Sequence, residues 1–220
     1  MLPNPGGRVG PDEVVGRSRL ILQLWEILEC QSLVLLAERR IGKTSIIRKM
    51  EAEPATKKLP VYHDLEGCRT RLEFVEGVFH DVEAYLSTFT RSTERVRAFL
   101  RELRGAEVGK FVKFPDAEKQ HWKVLLAKTL EDLASHEDGT LVFFWDEVPL
   151  MLQNIAKSEG EAAAMELLDT LRALRQTYPG IRMVFTGSIG LHNVIHSLRG
   201  SGYVNRPIND MYILAWIIHE

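Results

Sequence analysis

The chain has 220 residues, 45% of them hydrophobic and 26% charged, with a formal net charge of −2 at pH 7; this suits one α/β domain with a sizeable core and excludes a whole-surface nucleic-acid footprint, though not a local basic patch. Cys30 and Cys68 are far apart and form no C-x-x-C pair, which excludes a disulfide framework or a cysteine zinc site and fits a reducing compartment. The amino terminus lacks an apolar signal core and no stretch approaches the ~18 apolar residues of a spanning helix, so the expected setting is the cytoplasm, without a membrane partner.

In chain order, residues 1–12 are Pro/Gly-rich and read as a loose segment ahead of a domain covering 13–220. Leu20, Ile21, Leu24, Ile27 and Leu28 recur at helical spacing and predict a helix from Ser18 to Glu29. An apolar strand then runs into Ala37-Glu38-Arg39-Arg40-Ile41-Gly42-Lys43-Thr44-Ser45, a phosphate-binding loop of the pattern G-x-x-x-x-G-K-[ST] with Ala37 at the first glycine. In such a loop backbone N–H groups cradle phosphates, Lys43 neutralises β/γ-phosphate charge and Thr44 offers a hydroxyl to Mg²⁺. The helix that begins there points its positive dipole end at the anion. Alanine disfavours positive φ, so Ala37 requires the turn to begin in a conformation open to L-residues.

Downstream, a helix from Lys43 to Glu51 leads through Pro54 and Pro60 to a short strand, Val61 to Leu65. Thr70-Arg71-Leu72-Glu73 has the form of a capping box opening an amphipathic helix. A further helix is expected from Glu94 to Arg104. The five arginines between Arg91 and Arg104 mark a solvated face, with DNA as the alternative partner. Residues 105–116 suggest a small hairpin or an extended loop inserted before the next helix, and Ala117 to Ser135 another helix with Trp122, Leu125, Leu126, Leu130 and Leu133 inward.

Leu141-Val142-Phe143-Phe144-Trp145-Asp146-Glu147 is an apolar run too short for a typical helix and ends in two acids, the form of a Walker B strand. At the carboxyl end of a buried parallel strand, Asp146 would hold Mg²⁺ and Glu147 would polarise an attacking water. Ser158-Glu159-Gly160-Glu161 suggests a second capping box, opening a helix that stops near Tyr178, and Ile181 to Thr186 a buried strand. His192 and His196 have zinc-protease spacing, but Asn193 stands where the glutamate would be. The alternation of strands and helices predicts a parallel sheet covered on both faces.

Four segments together resemble the archaeal-type and bacterial ATPases of the AAA+/STAND division of P-loop NTPases: Val14-Val15-Gly16-Arg17, Ala37 to Ser45, Trp145-Asp146-Glu147, and Phe185-Thr186-Gly187-Ser188-Ile189-Gly190-Leu191-His192. The resemblance implies a three-layer α/β/α sandwich with a mostly parallel five-stranded sheet, binding ATP with Mg²⁺. It implies that Val15, Gly16 and Arg17 lie near the adenine and ribose, and that the loop from Glu38 through Arg39, Arg40, Ile41, Gly42, Lys43, Thr44 and Ser45 contacts phosphates. Thr44 and Asp146 would hold the metal, with Lys43 and Glu147 acting in catalysis. Thr186 or Ser188 would contact the γ-phosphate or the lytic water, while serine's preference for N-caps offers Ser188 a plain alternative.

Relatives usually continue into a helical lid and a carboxyl-terminal module, whereas this sequence ends with the expected fifth strand near Ile213 to Ile218. Glu147 favours Mg²⁺-dependent ATP hydrolysis coupled to a protein partner or a DNA transaction, with nucleotide-dependent oligomerisation as a corollary. A nucleotide-gated switch or scaffold, or a truncated ATPase fragment, is the alternative. Arg199 and Arg206 are the nearest candidates for a trans-acting arginine.

Overall fold

The computed structural model describes residues 10–37, 41–88, 122–136, 139–188, 190–198 and 207–216. Five strands form one sheet: β1 (Leu33–Ala37), β2 (Lys58–Asp64), β3 (Thr140–Asp146), β4 (Ile181–Phe185) and β5 (Tyr212–Trp216). Their order is β2-β3-β4-β1-β5, and every pairing is parallel. The described helices are α1 (Ser18–Cys30), α2 (Lys43–Ala52), α3 (Arg71–Thr88), α4 (Trp122–His136), α5 (Val148–Glu159), α6 (Glu161–Thr177) and α7 (Leu191–Leu198).

The pleat explains why β3 reads as an unbroken apolar run. Val142 and Phe144 point into one core layer with Leu24, Trp25, Leu28, Ile46, Ile47 and Met50 of α1 and α2. Leu141, Phe143 and Trp145 point into the other, among side chains of α3 to α7. Both faces are dry, so the period-2 polarity of a one-sided strand is absent. The result is three layers, α/β/α, as the sequence predicted.

Element boundaries differ in three places. β2 begins at Lys58 and runs through Pro60 rather than after it. It pairs with β3 alone at the sheet edge, where a residue without an N–H is tolerated. The box at Thr70 is offset: Thr70 Oγ1 accepts from the Glu73 amide at 3.1 Å, but the Glu73 carboxylate takes the Arg69 amide at 2.6 Å. The expected cap at Ser158 is replaced by a whole helix, α5, in which Val148, Met151, Leu152 and Ile155 form the buried stripe. Ser158 lies in the last turn of α5, and Gly160, at φ 96°, separates it from α6. The predicted helix at 94–104, the hairpin or loop at 105–116 and residues 117–121 lie outside the described residues.

Of the segment read as loose, residues 10–12 are described. Pro11–Glu13 forms a 3-10 turn against α2, with Lys49 Nζ donating to the Pro11 carbonyl at 3.2 Å.

Candidate nucleotide site

Because all five strands run the same way, the ends of β1, β3 and β4 emerge at one edge of the sheet, and β4 lies between the other two. With strands about 4.8 Å apart, β1 and β3 are separated by roughly 10 Å, a crevice of the kind in which open α/β sheets bind ligands. The loop residues Ala37 to Ser45 leave β1 at this edge, the two acids leave β3, and Thr186 to Ser188 leave β4.

Ala37 is the last residue of β1, in extended backbone, so the turn begins where an L-residue is at ease. Gly42 carries the left-handed angle instead, at φ 91°, and caps α2. Lys43 opens the helix and is buried; its Nζ folds back to donate to the Ala37 carbonyl at 2.8 Å. The amides at the start of α2 and the Lys43 ammonium thus share the mouth of β1, an arrangement suited to a polyanion. Ile41 and Ser45 flank it, both half-buried. Glu38, Arg39 and Arg40 lie outside the described residues, as does Ile189.

Asp146 is buried at the end of β3 and collects donors from four directions. Thr44 Oγ1 donates to Oδ2 at 2.6 Å, across 102 positions of sequence. Tyr62 OH, from β2, reaches the same oxygen at 3.5 Å. Oδ1 accepts from the Glu147 amide at 3.0 Å and from the Thr186 hydroxyl. Thr186, at the exit of β4, thus reaches across to the acid that ends β3. The Thr44 hydroxyl and the Asp146 carboxylate form an all-oxygen pair, the donor chemistry that hard divalent cations such as Mg²⁺ take.

Glu147 turns the chain from β3 into α5 in a left-handed conformation, φ 59° and ψ 31°, one of two described non-glycine residues with positive φ. Its Oε2 accepts two hydrogen bonds from Ser188, from the amide at 3.1 Å and the hydroxyl at 2.9 Å. Ser188 therefore does not cap α7. The alternative of a cap fails for a geometric reason: α7 starts only at Leu191, with the Val194 amide bonding to the Gly190 carbonyl. Gly187 packs so tightly on α5 that a Cβ there would sit 2.4 Å from Pro149 Cδ.

Val15 is 65% exposed, Gly16 has φ 75°, and Arg17 immediately precedes α1. The Pro11 contact to Lys49 joins this stretch to the helix that carries the loop. His192 and His196 are exposed on α7.

Tyr62 and Pro149 escaped sequence reasoning, as did the packing of Gly187 on α5. Tyr62 is held by Arg48 of α2, whose guanidinium carbon lies 3.3 Å from the ring centroid. It falls inside the strand predicted at Val61 to Leu65; only the pairing of β2 with β3 brings its hydroxyl to Asp146. Pro149 is a proline in the first turn of a helix, a recognisable mark had α5 been predicted.

No protein-family model matches the chain, and no curated protein matches it. Solved structures do. A Walker-type ATPase of Pyrococcus abyssi aligns at 19% identity over 96% of this chain and 57% of that one, with a TM-score of 0.55. The Aeropyrum pernix ORC1 protein, solved in complex with DNA, aligns at 14% over 100% and 48%, TM-score 0.56. The Aeropyrum pernix ORC2 protein, in ADPNP–ADP complexes, aligns at 16% over 96% and 50%, TM-score 0.55. The chain spans about half the length of these structures. At such identities the likeness establishes the α/β P-loop fold.

Proposed function

We propose that the chain binds Mg·ATP in the crevice between β1 and β3 and hydrolyses it, coupling turnover to a protein partner or a DNA transaction as a cytoplasmic P-loop ATPase core spanning residues 13–220. The observation that carries this reading is the meeting of Lys43, Thr44, Asp146 and Thr186 at one sheet edge, with the Thr44 hydroxyl 2.6 Å from Asp146. Absence of an N-K-x-D tetrapeptide from the sequence favours adenine over guanine. The fold neighbours solved as an ATPase and with ADPNP and ADP support the same choice. A neighbour solved on DNA supports DNA as the partner class, and contact between copies of the chain is the expected route for a trans-acting arginine.

In this reading the phosphates lie over the amides of Ile41 to Ser45, and Lys43 exchanges the Ala37 carbonyl for β/γ-phosphate oxygens. Val15, Gly16 and Arg17 bound the base and ribose. Thr44 Oγ1 and Asp146 hold Mg²⁺, which when bound offsets phosphate charge. Thr186 keeps the Asp146 carboxylate oriented. Water attacks Pγ, its proton passes to Glu147, and the β,γ-bridging oxygen leaves with its electron pair as ADP.

Calorimetric titration of ATP with and without Mg²⁺, alongside phosphate release, tests the proposal on wild type, Lys43→Ala and Glu147→Gln. Binding lost in Lys43→Ala and turnover lost with binding kept in Glu147→Gln is the expected result. A folded wild type that binds no ATP refutes the reading. Binding without turnover would instead favour a nucleotide-gated switch.

A further inference from the structure

Glu147 and Ser188 belong to different crossovers, 41 positions apart, yet both donors of Ser188 converge on one carboxylate oxygen. Two donors converging on Oε2 hold that oxygen more firmly than one would and leave Oε1 as the oxygen with acceptor capacity to spare. Among the described residues, Oε1 has no hydrogen-bond partner. The partner segment is itself immobilised: Gly187 abuts Pro149 of α5, and the Thr186 amide and carbonyl bond to the Trp145 carbonyl and the Val148 amide, both at 3.0 Å. Two residues of the β4 exit thus address the two acids of the β3 exit, Thr186 on Asp146 and Ser188 on Glu147.

We propose that Ser188 is a positioning residue for Glu147: it occupies Oε2 from behind so that Oε1 is the oxygen that takes the proton of the attacking water. This assigns Ser188 to the base instead of the γ-phosphate. The proposal rests on the hydrolytic reading above. Ser188 touches neither substrate nor metal and acts through Glu147 alone, so its contribution vanishes once residue 147 is no longer a base.

A kinetic double-mutant cycle tests it, with single-turnover ATP hydrolysis and ATP binding measured on wild type, Ser188→Ala, Ser188→Thr, Glu147→Gln and the Ser188→Ala/Glu147→Gln pair. Loss of an orienting partner lowers rates by about 10- to 100-fold. Ser188→Ala should therefore slow hydrolysis by that factor with ATP affinity held within about twofold, and Ser188→Thr, which keeps the hydroxyl, should recover most of it. In the Glu147→Gln background Ser188→Ala should have no further effect, because groups acting as a unit are non-additive. An unchanged or faster rate in Ser188→Ala, with wild type active, overturns the proposal and leaves the ATPase reading standing. Weakened ATP binding overturns it in favour of a direct phosphate contact. A wild type that binds ATP without hydrolysing it overturns the hydrolytic reading, and the role of Ser188 with it.

Discussion

Gly187→Ala is the most informative perturbation of the site, because its size can be worked from geometry. A Cβ at 187 would lie 2.4 Å from Pro149 Cδ and 2.8 Å from Pro149 Cγ, where ordinary contact starts near 3.4 Å. Relief requires a movement of about 1 Å, and overpacking of this kind costs roughly 1–3 kcal/mol. For a chain of this size that lowers Tm by roughly 2–12 °C. The same movement carries Ser188 away from Glu147, stretching bonds of 2.9 and 3.1 Å beyond the range in which they count. An ångström of misplacement can cost about 100-fold in rate. Differential scanning calorimetry and single-turnover hydrolysis read the two effects separately. Pro149→Ala in the same molecule removes the offending ring atoms and should restore both. A Gly187→Ala protein with wild-type Tm and rate would refute the reasoning.

Three further outcomes follow from groups away from the crevice. Arg175 is buried and grips Asp210 through Nε and Nη2, both at 2.9 Å, while Nη2 also donates to the Pro207 carbonyl at 2.8 Å, tying α6 to the turn before β5. Breaking such a pair costs about 3–5 kcal/mol, so Arg175→Ala should lose that much in urea unfolding, and a midpoint equal to wild type would refute the assignment. Burial pushes the Cys68 thiol up to about 12, whereas Cys30 is exposed. At pH 8 an aromatic disulfide reagent should titrate Cys30 quickly and reach Cys68 only on unfolding; two equally fast thiols would contradict this. Burial also raises the Asp81 carboxyl above its ordinary range, partly offset by His63, whose Nδ1 is 2.7 Å away. A raised folded-state value makes the proton more tightly held in the native state, so this contribution is full below about pH 4 and lost as pH rises through the folded value. Wild type should thus lose stability relative to Asp81→Asn over that climb, and parallel pH curves would refute it.

What could be read from the residues was whatever chemistry fixes locally. The glycine of the phosphate loop, the lysine and threonine beside it, and the two acids after an apolar run each carry their meaning within a few positions. Ala37 is a case in point: its substitution for glycine predicted ordinary backbone at the start of the turn, and it is the last residue of a strand. What could not be read depends on distance. Glu147 bends the chain through a left-handed angle that no glycine or asparagine announces, so the helix directly behind it went unrecognised and Ser158 was mistaken for a cap. Ser188 was open to two readings, a contact to the γ-phosphate or lytic water and a helix cap; only the tertiary approach of Glu147 assigns its hydrogen bonds. Tyr62 lies inside the strand predicted at Val61 to Leu65, but its reach to Asp146 depends on the pairing of β2 with β3, which no local pattern announces.

The strand order also sets a timetable for synthesis. β1 is paired on both sides, but Leu33 meets Val184 on one flank and Tyr212 on the other. At about 5–20 residues per second, the first of those partners leaves the ribosome roughly 8–30 seconds after β1 itself. During that interval the strand bearing the phosphate loop has neither neighbour. One of its faces can nonetheless be covered at once, since Leu24, Trp25, Leu28, Ile46, Ile47 and Met50 all lie close to it in sequence and pack with Leu33 and Leu35. The nascent chain is therefore expected to shelter β1 between α1 and α2 first, and to acquire the acids that face its loop only when β3 and β4 have been made.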